Sequence, residues 1–91
     1  MMARIEVTRL TDDTFRVEVH EGGGSSSHEV TASAADVQRY GGEVGAEKLI
    51  EASFRFLLER EPKESILARF DLPVIERYFP EYPREIRGKL D

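Results

Sequence analysis

A chain of 91 residues with 40% hydrophobic and 34% charged side chains has the composition of one small globular domain, not of a disordered segment. It has no cysteine, which excludes a disulfide framework and a thiolate zinc site, and with two histidines any metal centre would lean on carboxylates. The 18 acidic and 13 basic residues leave a net charge of −5, which repels a polyanion and disfavours non-specific nucleic-acid binding without excluding a local basic patch.

The opening MMARIEVTRLTDD lacks the apolar stretch of a secretory signal. No later run approaches the roughly 20 apolar residues of a membrane span. The expectation is a cytoplasmic protein that does not engage a membrane.

Residues 3–32 read as strands. Ile5 and Val7 alternate with Arg4, Glu6 and Thr8; Phe15, Val17 and Val19 alternate with Arg16, Glu18 and His20; His28, Val30 and Ala32 alternate with Ser27, Glu29 and Thr31. Alternation with one polar face predicts an antiparallel sheet covered on one side. A tight turn at Thr11-Asp12-Asp13 and the Gly-rich EGGGSS at 21–26 connect the strands, the second expected as a mobile tip. The predicted pairs are Ile5 with Val19 and Val7 with Val17, then Val19 with His28, Val17 with Val30 and Phe15 with Ala32.

Residues 34–88 read as helices. Ser33 is the expected cap of a short helix closed by Gly41-Gly42. In AEKLIEASFRFLLER, residues 46–60, Ala46, Leu49, Ile50, Ser53, Phe54, Leu57 and Leu58 share one helical face. Pro62 stops that helix and opens PKESILARF, expected as another. Asp71 is the expected cap of a further helix carrying Leu72, Val74, Ile75, Tyr78 and Phe79, and the last segment, PEYPREIRGKL, is a turn or two fraying at Gly88. The expectation is a single α+β domain: a three-stranded antiparallel meander followed by four or five short-to-medium helices packed on one face.

Few residues suggest chemistry. GGGSSS joins two strands and has no lysine behind it, unlike a phosphate loop. Ser27 and Glu29 point away from His28 on a strand, so the three form no triad, and His28 is expected to sit half covered and bonded to backbone. His20 faces the other side. The acidic residues fall at salt-bridge spacing among Arg and Lys. No catalytic, cofactor-binding or metal-ligating residue is expected, and no enzyme.

The distinctive stretch is FDLPVIERYFPEYP, residues 70–83, with its four aromatics and three prolines. Either it completes the core or it forms a rigid aromatic knob for a partner. Tyr78, Tyr82 and Pro83 are the candidate partner-binding residues, and Tyr82, beyond the regular stripe, is expected to be the most exposed.

The run EASFRFLLEREPKESILARFDLPVIERYFPEYPREI resembles a family of small bacterial proteins of uncharacterised function. The similarity is most specific in this C-terminal half and looser around SHEVTAS, and it implies no activity, cofactor or site residue. The strand-then-two-helices layout from residues 27 to 60 also resembles small antitoxin and regulator proteins at the level of fold. Together these readings predict a non-enzymatic protein–protein interaction module of the bacterial cytosol that binds another protein or itself. The alternative is an antitoxin-like or nucleic-acid-associated regulator.

Overall fold

The computed structural model describes residues 3–90. In chain order these form β1 (Arg4–Arg9), β2 (Thr14–Glu21), β3 (Gly24–Thr31), α1 (Ala34–Gly41), α2 (Ala46–Leu58), a single 3₁₀ turn at Lys63–Ser65, β4 (Arg69–Asp71), α3 (Val74–Tyr78) and α4 (Tyr82–Leu90). Strands β1, β2 and β3 make the expected antiparallel meander. A fourth strand, β4, lies parallel to β3, so the sheet is mixed and four-stranded.

The fourth strand corrects the expected helix in PKESILARF. Only Lys63–Ser65 turn; Ile66 already has extended backbone, with φ of −73° and ψ of 133°, and the strand β4 forms from Arg69. Without β4, β3 would present a row of unpaired backbone groups. Glu29 N donates to Ala68 O at 2.8 Å and Leu72 N donates to Thr31 O at 2.8 Å, closing the ladder around the Val30–Phe70 pair.

The first hairpin has the predicted register, Ile5 opposite Val19 and Val7 opposite Val17. The second is shifted by two residues, with Phe15 opposite Val30, Val17 opposite His28 and Val19 opposite Ser26. The cause is the turn. Gly22 and Gly23 have φ of 62° and 82°, the two left-handed residues of a two-residue turn whose twist matches the strands. Centring the turn there, one residue earlier than assumed, moves every partner by two and keeps the apolar set on one face. The strands therefore take in Glu21 and residues 24–26, and the tip is shorter than the six-residue loop expected. Gly22→Asn should leave the fold intact and raise the thermal midpoint slightly, since asparagine accepts this conformation and restricts the unfolded chain by up to about 1 kcal/mol. A lowered midpoint would contradict this turn geometry.

Helix α1 starts as predicted, the Ser33 hydroxyl accepting from Asp36 N at 3.1 Å. Helix α2 packs on β1 and α4, and one core unites the inner sheet face with Leu49, Ile50, Phe54, Phe56 and Leu57. Phe56 lay off the predicted inner face, yet it is fully buried. α4 covers that side, and the Arg60 guanidinium lies 3.7 Å above the Phe56 ring.

Two further corrections concern the C-terminal segment. Pro73, not Asp71, occupies the cap position of α3, and Asp71 ends β4. Helix α4 is continuous through Gly88 to Leu90 and is tied to the end of α2 by Arg60–Glu81 at 3.1 Å and Lys89–Glu59 at 2.6 Å. Pro83 sits in its first turn, where a missing N–H costs nothing. Among the described residues, no helix is long and apolar enough to cross a membrane.

Candidate functional site

Helix α2 ends at Leu58 and Pro62 prevents its continuation, so the chain turns away through the 3₁₀ turn to reach β4. Helix α3 then lasts only from Val74 to Tyr78. A groove of about 260 Å³ remains between these pieces, walled by Leu57 and Glu61 from the end of α2, Ser65, Ile66 and Leu67 from the crossing segment, Phe70 of β4, and Val74, Ile75, Tyr78 and Phe79. Leu57, Ile66, Phe70 and Ile75 are buried and make its floor. Tyr78, 67% exposed, and Leu67, 46% exposed, stand on its rim. They are two of the three large hydrophobic side chains exposed among the described residues, and both border this one groove.

Of the three residues expected to meet a partner, the structure brings only Tyr78 to the groove. Tyr82, expected to be the most exposed, is 0% exposed. Because α4 begins at Tyr82, its side chain falls on the inner face with Ile86, four residues on. Its ring packs 5.0 Å from Tyr40 and 5.2 Å from Phe56, and its hydroxyl lies 2.6 Å from that of Ser53. Burial pushes the Tyr82 phenol pKa upward. Pro83 is half-buried and is not one of the groove's walls.

Glu61 is the groove's one carboxylate. Burial alone holds its pKa above the usual carboxylate range, whereas Glu59 and Glu64 on either side are held below it, first by their bonds to Lys89 and Lys63. Neither Glu61 nor Leu67 was legible as a site residue. Leu67 read as one apolar position of a helix that does not form.

His28 lies on the inner sheet face. Its Nδ1–H donates to the Leu67 carbonyl at 2.8 Å, which leaves Nε2 to accept from the Ser26 hydroxyl at 2.8 Å, and its ring packs 5.3 Å from Phe54. Ser26, two residues along the strand and so on the same face, supplies the hydroxyl partner that neither Ser27 nor Glu29 can. The result is a serine–histidine pair oriented by a backbone carbonyl. A substrate would still need space beside the hydroxyl and donors for an oxyanion. Neither the apolar groove nor the polar cleft lined by Arg16, Ser27, His28, Glu29, Ala68 and Arg69 has Ser26 in its walls.

The outer sheet face is polar. Glu6 and Glu18 sit directly opposite each other, and His20 Nε2 lies 3.3 Å from Glu6 and 3.8 Å from Glu18. These three offer ligand atoms within 4.8 Å of one another, a grouping that the first hairpin's register already implied. Arg4, 3.5 Å from Glu6, offsets the like charges, and the cluster is as open to water as ordinary cross-strand pairs. Arg69 lies 3.8 Å from Glu29 further along the same face.

Comparison with known protein families, curated proteins and solved structures finds no match to this chain. The residues and their geometry therefore carry the functional reading. They define a small α+β domain with an apolar groove.

Proposed function

We propose that this protein is a non-enzymatic protein–protein interaction module of the bacterial cytosol, and that it receives its partner in the groove between the end of α2, the crossing segment and α3. The observation that carries the reading is the pairing of Tyr78 and Leu67, both exposed, above a floor of buried apolar side chains. Exposed apolar surface gathered on one concavity marks a contact site, and a tyrosine is a frequent anchor there. The Ser26–His28 pair is oriented by the Leu67 carbonyl and its serine lines neither cleft, which supports a structural role for that histidine. An antitoxin-like or nucleic-acid-associated role draws less support. Arg4, Arg16 and Arg69 on the outer sheet face are interleaved with Glu6, Glu18 and Glu29, and no Phe, Tyr or Trp stands among them for bases to stack on.

Tyr78→Ala tests the reading by capture of partners from the native cell, with and without nuclease. The variant is expected to lose at least about tenfold in capture, because truncating an interface anchor costs about 2 kcal/mol or more. Its unfolding midpoint should barely move, as for other exposed positions. Undiminished capture by Tyr78→Ala would refute the groove as the contact site. Capture abolished by nuclease would favour the regulator instead.

A further inference from the structure

The groove has a polar feature that a plain apolar contact would not need. Glu61 stands in its wall, and its chain neighbours are all engaged: Glu59 with Lys89, Arg60 with Glu81, and Lys63 with Glu64. Among the described residues, the Glu61 side chain forms no hydrogen bond or ion pair, and desolvation is the single influence on its carboxyl. The remaining walls are almost wholly apolar, with three aromatic rings from Phe70, Tyr78 and Phe79.

We infer that the groove binds a segment of a partner protein presenting an apolar side chain beside a lysine or arginine, the apolar group resting on Leu57, Ile66 and Phe70 and the cation meeting Glu61. The inference rests on the groove being the contact site and adds the chemistry of the occupant. A purely apolar segment would cover Glu61 and strip more water from a carboxylate that has no counter-charge, which opposes docking. An acidic segment would add repulsion. A cation reverses both effects, and its bond to a carboxylate is of the stronger, charge-assisted kind. Tyr78, 67% exposed on the rim, adds a ring against which a guanidinium or ammonium is favoured. The single unpaired carboxylate thus selects among apolar partners mainly by rejecting those without a cation. A net charge of −5 speeds the approach of such a basic segment. The volume, about 260 Å³, lies just below the range of about 300–1,000 Å³ typical of small-molecule pockets, which suits side chains more than a cofactor.

The test uses the full chain at physiological salt and two synthetic amphipathic peptides of equal length, one of leucine and lysine, the other of leucine and glutamine. Binding is followed by NMR amide shifts. The lysine peptide is expected to bind more tightly and to shift amides at Ile66, Leu67, Phe70 and Tyr78. Glu61→Gln should weaken that peptide roughly tenfold, the scale of a charge-assisted bond, and should not weaken the glutamine peptide. Glu43→Gln removes the same charge from the exposed link between α1 and α2 and should change affinity by less than about twofold, as expected of a distant surface charge. Equal losses in Glu61→Gln and Glu43→Gln would overturn the cation seat. The groove reading itself would still stand if Tyr78→Ala weakened both peptides, and it would fall if Tyr78→Ala weakened neither. Absence of any binding by the lysine peptide overturns the inference outright.

Discussion

Tyr82→Ala is expected to destabilise the domain by roughly 3–5 kcal/mol, the cost of removing a buried aromatic ring. A domain of this kind has only about 5–15 kcal/mol in all, so the variant should be partly unfolded under mild conditions. The ring is fully buried against Tyr40 and Phe56, and its hydroxyl meets Ser53 inside the core. Tyr82→Phe should cost far less, about 1 kcal/mol, because it keeps the ring and because the Ser53 hydroxyl still donates to the Leu49 carbonyl at 2.7 Å. Urea midpoints of both variants check this. A Tyr82→Ala midpoint equal to the parent's would mean that α4 does not pack as described.

The misplacement of Tyr82 has an identifiable cause. Pro80 and Pro83 flank Tyr82, and a proline ordinarily interrupts a helix, so spacing alone leaves Tyr82 outside the regular stripe. Only Pro80 acts that way, exposed in the turn between α3 and α4. Pro83 lies inside the first turn of α4, which lets the helix begin at Tyr82. Once that start is granted, Tyr82, Ile86 and Leu90 recur every four residues as an ordinary inner stripe.

Local pattern was enough for the meander and for α2, because alternation and helical spacing are properties of contiguous residues. It was not enough for β4. Three residues of strand show no period, and what makes them a strand is the open edge of β3, supplied from far back in the chain. The same limit applies to the groove. Residues 70–83 stood out as aromatic and proline-rich, and five of the groove's walls do come from that stretch: Phe70, Val74, Ile75, Tyr78 and Phe79. Glu61 and Leu67 join them only because the chain leaves α2 after Leu58 and turns to run along β3. Phe56 was missed for a related reason, since a helix covered by a sheet on one side and by α4 on another buries more than one face.

Leu57→Ala is expected to cost roughly 2–5 kcal/mol, toward the lower end of that range. Leu57 is buried in the last turn of α2, so its truncation loses both apolar contact and packing. It also forms part of the groove floor, and neighbours beside an open groove can relax into the space more readily than those in a closed core. Leu58 supplies the control. Helical spacing alone placed Leu57 and Leu58 on the same inner face, but they point about 100° apart and Leu58 is only half-buried. Leu58→Ala should therefore cost less than Leu57→Ala, about 1 kcal/mol. The comparison of their denaturation midpoints measures the rotation of α2 about its own axis. Equal losses in the two variants would mean that α2 turns Leu58 inward as well, and the groove floor would then need to be redrawn from that side.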